Sequence, residues 1–228
     1  MSESPDVSAV SSVASQRVAD VIRERILSGA MPPGTRIKQD ELADELATSR
    51  IPVREALRIL DSLGLVTLRA NSGAWVSSMS VRDLQMSYAV RERIEPLLLL
   101  DSLPHLTDDH VAQLRSLQDA IESNDDIERF LVLDRELHWL TYSQHRAPQL
   151  ASMVARLWDT TQHYRRAFVA LAGSQGSWTI EAEHRLLIEA IASRDADTAQ
   201  AVLAMHIRRT SHDLARHPEL FDSETDER

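Results

Sequence analysis

Hydrophobic residues recur at helical spacing along most of the chain and give way only once, inside Asp40–Ser77, to strand-like runs. Val53, Ala56, Leu57, Leu60 and Leu63 fall at i, i+3, i+4, i+7 and i+10, which predicts a helix from about Pro52 to Leu63. Ser49 is placed to cap it, Pro52 suits its first turn, and Gly64 sits where it stops. Ahead of it, Leu42, Ala43 and Leu46 predict a short helix over Asp40–Ala47. After Gly64 the pattern becomes strand-like over Leu65–Arg69. It then turns through Ala70-Asn71-Ser72-Gly73 and resumes as a second strand over Ala74–Ser78. Upstream, Val18, Val21, Ile22 and Ile26 form one stripe of a helix over Arg17–Leu27, closed by Gly29 and Pro32-Pro33-Gly34.

From Val81 onward the periodicity is helical throughout. Helices are predicted near Val81–Leu103, Asp108–Ser123, Asp125–His145, Pro148–Leu171, Thr179–Ser193 and Ala196–Arg216. Pro104, Asn124, Pro148 and the Gly173–Gly176 segment separate them. Six helices with short connections imply an antiparallel bundle. The expected fold is therefore mostly α, an N-terminal helix-turn-helix with a small β-hairpin wing followed by a helical bundle. The expected divisions are a tail at 1–13, a winged helix at 14–78, a linker at 79–81, the bundle at 82–217 and a second tail at 218–228.

Charge sharpens this division. Residues 12–80 carry nine Lys/Arg against eight Asp/Glu, whereas the rest from Val81 carries sixteen against twenty-five. A near-neutral unit is joined to an acidic one, so any nucleic-acid contact must come from local clustering. Arg50, Arg54 and Arg58 supply it, along one edge of the second predicted helix. Guanidinium groups there are placed for bidentate bonds to guanine in the major groove, with the hairpin as a wing. A solvated basic face accounts for the arginines alone, but not for the order of helix, turn, helix and glycine-tipped hairpin. The chain has no cysteine, which fits a reducing cytoplasm, and no apolar run long enough to span a bilayer, so no membrane partner is expected.

One constellation in the bundle carries chemistry. Asp134 and His138 are four apart, on a helix face flanked by Phe130, Leu131 and Leu137. His184 shares a face with Leu187, Ile188 and Ile191, and His206 with Ala199, Val202 and Leu203. A carboxylate and three imidazoles converging in a bundle suit Zn²⁺, Ni²⁺ or another borderline divalent metal. Taken singly, the same residues also read as a buried ion pair and core histidines.

Here the chain resembles a known family. MPPGTRI, DELADELATSRIPVREALRILDSLGLV and NSGAWV are similar to the winged-helix domain of GntR-type bacterial transcription regulators. In that family the arginine after the serine and the one after Pro-Val touch DNA, which implies roles for Arg50 and Arg54. Ser49, Arg58, Asn71 and the wing-tip Gly73 complete the expected DNA-contacting set. The chain departs from the pattern in two ways: Ala47-Thr48 stand where the family usually has Gly-Val, and Asp40 replaces a basic residue.

Residues 91–208 resemble the helical effector domain, called FCD, of the FadR-type branch. In its metal-binding members an Asp, the His four residues on and two later His hold a divalent ion. They map onto Asp134, His138, His184 and His206. Arg91 resembles an arginine that holds effector carboxylates, although an i,i+4 ion pair with Glu95 accounts for it equally. The resemblance implies a homodimeric regulator, a repressor in most of the family, that binds a DNA operator and responds to a small carboxylate. The alternatives are a metal-responsive regulator and a metal-dependent enzyme in which the Asp/His₃ site activates water.

Overall fold

The computed structural model describes residues 7–70, 72–172 and 177–221. They form two units that meet between Ser78 and Met79.

In the first unit, α1 (Val7–Leu27) is followed by a short strand β1 (Arg36–Ile37), α2 (Gln39–Glu45), α3 (Arg50–Ser62), β2 (Val66–Arg69) and β3 (Gly73–Val76). Helix α1 starts well before the expected end of the tail at Val13, because neither Gly nor Pro interrupts Val7–Leu27. Val18, Ala19, Ile22 and Ile26 of α1 pack with Val53, Ala56, Leu57 and Leu60 of α3 and Leu42 and Ala43 of α2. Each such large side chain contributes about 1.5–3 kcal/mol by leaving water. Leu63, placed on the same stripe by spacing, is the C-cap of α3 and is partly exposed there. The hairpin supplies two strands of a three-stranded antiparallel sheet of order β1-β3-β2. Two residues are too few for β1 to show a period, so the third strand left no pattern in the sequence.

Two left-handed residues end the helices of the helix-turn-helix. After α3, Gly64 (φ 78°) donates to Asp61 O and Leu65 N donates to Leu60 O, the paired bonds of a Schellman cap. After α2, Ala47 (φ 49°) and Thr48 make the same pair of bonds, to Asp44 O and Ala43 O. The backbone thus keeps the geometry that glycine usually provides, with a Cβ in place.

The second unit is built from α4 (Val81–Ser102), α5 (Asp108–Glu122), α6 (Ile127–Tyr142), α7 (Pro148–Ala172), α8 (Ser177–Ala192) and α9 (Ala196–Ala215). Caps set the starts. Ser80 and Asp83 form a capping box on α4, Thr107 and His110 one on α5, and Asp126 and Asp195 cap α6 and α9. Ser80 caps and Val81 opens α4, so the expected linker shrinks to almost nothing. Helix α4 lies along α9, α9 against α8, α5 against α6 and α8, and α7 against α4. Leu84, Leu98, Leu99, Leu114, Leu137, Trp158, Ile191 and Leu203 are among the buried core residues. Pro218–Leu220 forms a 3-10 turn, and Phe221 is buried against Tyr164, ring on ring at 4.8 Å, so the start of the second expected tail is packed. The Tyr164 hydroxyl also accepts from Met79 N at 2.6 Å. Among the described residues no helix is long and apolar enough to cross a membrane.

Candidate functional site

In the helical unit, α6 presents Asp134 and His138 one turn apart, α8 presents His184, and α9 presents His206. All four are buried. The three imidazoles form a nearly equilateral triangle, with ring centroids 5.2, 5.2 and 5.0 Å apart and one ligand nitrogen of each within 4.8 Å of the others.

Their orientation is set from outside the triangle. His184 Nδ1 lies 2.9 Å from Gln118 Oε1, so it donates there and leaves Nε2 with its lone pair turned inward. His206 Nδ1 donates to Glu183 Oε2 at 2.7 Å. Arg209 grips Glu183 in turn with two bonds of 2.6 Å and reaches Asp213 at 3.0 Å. This is the carboxylate–histidine arrangement that fixes a metal-binding imidazole.

Two buried nitrogens of the triangle, His184 Nε2 and His138 Nδ1, lack a hydrogen-bond partner, as does Asp134 Oδ1 at its edge; the three histidines alone form the close cluster. Leaving one such group unpaired costs about 1–3 kcal/mol, so their convergence fits a bound cation. Burial pushes the His138 and His184 imidazoles down, His184 to about 3, and both are neutral at pH 7. Neutral imidazole is the form that ligates. Asp134 stands at the edge of the triangle. Its Oδ1 is 3.7 Å from His184 Nε2, while its Oδ2 accepts from Arg165 Nη2 at 2.7 Å. Burial raises the pKa of its carboxyl, but the Arg165 guanidinium together with His138, His184 and His206 outweighs that and holds it well below the usual carboxylate range.

A small opening of about 10 Å³ lies beside His138 and His206, with Tyr88, Arg91, Trp158, Arg165 and Thr210 in its lining. That is room for roughly one water molecule. Arg91 is buried between the rings of Tyr88 and Trp158, at 4.6 and 4.4 Å. Its Nε donates to Glu95 Oε1 at 2.5 Å, so the i,i+4 pair exists and Arg91 lines the cavity as well. Arg165 Nη1 and the Tyr88 hydroxyl, also in the lining, have no partner. Two guanidinium groups and a phenol line this opening, each guanidinium paired with a buried carboxylate, Arg91 with Glu95 and Arg165 with Asp134.

Sequence reasoning missed Arg165, Gln118, Glu183 and Arg209. The signal for Arg165 was present: Trp158, Thr161 and Arg165 fall at i, i+3 and i+7 on α7, one inward face. Gln118 had the same signal, on the Val111, Leu114 and Ile121 face of α5, while Arg209 had none.

In the first unit, Ser49 occupies the N-cap of α3, without a side-chain cap bond. Arg50, Arg54 and Arg58 all project into solvent, their side chains 74%, 59% and 59% exposed. Each also has an acidic neighbour: Arg50 pairs with Asp40 at 2.6 Å, Arg58 with Glu55 at 2.9 Å, and Arg54 lies 3.8 Å from Glu55. Gly73 (φ 109°) begins β3 at the wing tip. Asn71 lies outside the described residues. Two further arginines flank the wing, Arg36 and Arg69, each over the Trp75 ring at 5.5 and 5.1 Å.

Residues 14–76 match the family of bacterial regulatory proteins described as the gntR family, and residues 86–209 match the FCD domain. The "Probable D-xylose utilization operon transcriptional repressor" of Paenarthrobacter nicotinovorans is 29% identical over 199 residues, covering 86% of this chain and 85% of that protein. Among solved structures, Escherichia coli McbR/YncC superposes with a TM-score of 0.78 at 22% identity, over 90% of this chain and 98% of that one. A GntR-type regulator from Rhodococcus sp. RHA1 gives 0.74 at 20% identity, over 88% and 96%. The arginine-bearing helix, the wing and the helical unit with its histidine triangle are thus the parts of a transcription regulator, not of an enzyme, and the chain belongs to the GntR family of DNA-binding regulators that carry an FCD domain.

Proposed function

We propose that this regulator is a repressor that binds a palindromic operator as a homodimer and is released by a small carboxylate metabolite captured beside a divalent metal. Zn²⁺ and Ni²⁺ suit a ligand set of His138, His184, His206 and Asp134. The observation that carries the metal is the close cluster of His138, His184 and His206, with His184 Nε2 and His138 Nδ1 buried and unpartnered; Asp134 at its edge is the fourth candidate. When bound, the ion supplies open coordination positions to a carboxylate. Arg91 and Arg165 neutralise the ligand's charge from the cavity wall. On DNA, Ser49, Arg50, Arg54 and Arg58 read the major groove, and Asn71 and Gly73 bring the wing to the backbone. A two-fold palindrome follows from a two-fold protein. Repression is supported by the relative named as a repressor.

A second reading is a metal-responsive regulator in which the ion itself is the signal. The Glu183 and Gln118 contacts, which pre-orient two imidazoles, favour it equally.

Elemental analysis of the native protein beside His138→Ala tests the metal. About one divalent ion per chain, lost in the variant, is expected; none in either overturns it. Operator affinity with metal alone, and with metal plus a panel of small carboxylates, then separates the two readings. Arg54→Ala is expected to abolish operator binding in a folded protein. Unchanged binding would remove the reading role of α3.

A further inference from the structure

Helix α4 turns Arg91 and Glu95 inward and leaves an outer stripe of Arg82, Met86, Val90, Arg93, Leu97 and Asp101, all exposed. The spacing of these six is 4, 4, 3, 4 and 4 residues, which is one continuous line along the helix. Met86 and Leu97 are 60% and 54% exposed, and Val90 39%. Three apolar side chains in line on the outside of a helix whose other face is already packed need an occupant.

The order of the stripe identifies it. The residues fall in pairs equidistant from a point between Arg91 and Glu92: Val90 with Arg93, Met86 with Leu97, Arg82 with Asp101. We infer that this stripe is the contact between two copies of the chain, with α4 packed antiparallel on α4 of the second copy about a two-fold axis through that point. Met86 then meets Leu97 of the other copy, and Arg82 meets Asp101. Val90 is covered by the aliphatic stem of Arg93, whose guanidinium is turned along its own helix to Ala89 O at 2.6 Å. The parallel alternative sets Arg82 on Arg82, Arg93 on Arg93 and Asp101 on Asp101. Charge therefore selects the antiparallel, isologous arrangement. The inference rests on the reading of a homodimer at a palindrome, and adds its interface. It also places the inward-facing Arg91 on the helix shared by the two copies.

The chain has no cysteine, so introduced thiols are unambiguous. The full-length Met86→Cys/Leu97→Cys variant, treated with a short bismaleimide, is expected to run as a covalent dimer on a denaturing gel. Each single variant is expected to remain uncrosslinked, because like positions lie about 16 Å apart along antiparallel helices and the two thiols of one chain are equally distant. Asp101 also holds Arg146 N at 2.5 Å within its own chain, so the charge is reversed on the other side: Arg82→Asp is expected to weaken dimerisation at least several-fold in sedimentation equilibrium, and Arg82→Lys to leave it near the native value. A native chain that sediments as a dimer while the double-cysteine variant stays uncrosslinked overturns this interface and leaves the palindrome reading intact. A chain that binds its operator as a single copy overturns both.

Discussion

Arg165 Nη2 donates to Asp134 Oδ2 across 2.7 Å in a site where both side chains are buried. The bond leaves Asp134 Oδ1 facing the histidines and Arg165 Nη1 facing the cavity, both without partners. One ion pair therefore presents an acceptor to a cation on one side and a donor to an anion on the other. Removing the guanidinium leaves a buried carboxylate uncompensated, which costs about 3–5 kcal/mol. In metal-free protein Arg165→Met is expected to lower stability to urea by about that amount. Added Zn²⁺ should recover more of the loss than it adds to the native chain.

Orientation of the imidazoles is a separable contribution. Gln118→Leu frees His184 Nδ1, and Glu183→Gln weakens the hold on His206, with no ligand removed in either. Each is expected to cost about 10–100-fold in metal affinity. Competition against a chromophoric chelator measures it, and circular dichroism checks that the helices persist.

The pH dependence of the metal-free protein has a definite sign. Folding pushes His184 down to about 3, from about 6.5 when unfolded. The unfolded state then binds the extra proton between those values, and stability falls as pH drops below about 6.5, by up to about 1.4 kcal/mol per unit for this histidine. Glu183 reinforces the trend lower down: burial opposes ionisation, but its bonds to His206 and Arg209 hold it at about 2, so its contribution is lost as pH falls from about 4.5 toward 2. His138, also pushed down by burial, adds to the same fall, so thermal melts of chelated protein between pH 7 and 5 should show a fall that His184→Asn reduces without abolishing.

Ala47 holds a left-handed backbone at φ 49° in the turn between α2 and α3. The strain on its Cβ is about 1–2 kcal/mol, against about 0.5–1 kcal/mol of added unfolded-state freedom for glycine. Ala47→Gly is therefore expected to raise the stability of the DNA-binding unit by roughly 0.5–1 kcal/mol, read from equilibrium unfolding.

Asp40 occupies Arg50 at 2.6 Å on an exposed surface, where such a pair is worth under about 1 kcal/mol. It competes directly with a phosphate or base for the same guanidinium. Asp40→Asn is expected to raise operator affinity several-fold and to steepen its salt dependence, in titrations at two ionic strengths.

What could be read from the chain alone follows from range. The helix boundaries rested on local spacing and caps, and α4, α5, α7, α8 and α9 lie within a few residues of their expected limits. The expected α6 ran on to His145, which lies beyond the end of the helix at Tyr142. The inward faces of His138, His184 and His206 were legible because each sat among apolar neighbours at helical intervals. Their mutual distances were not, because three helices packed from separate parts of the sequence set them. The bond from Arg165 to Asp134 spans helices α6 and α7, and no period within either announces a partner in the other. Strand β1 shows the same limit at its shortest: two residues become a strand only because β3 passes beside them.

Tyr164 carries one more implication. Its hydroxyl meets the backbone at Met79, where the helical unit begins, and its ring meets Phe221, the last described residue. The start of the helical unit and the segment that follows α9 are thus neighbours across the width of a single side chain. A polypeptide arranged this way is nearly a closed ring. Its ends can be joined by a short tether and new ones opened at a surface connection elsewhere, so the order in which these helices are strung is separable from the way they pack.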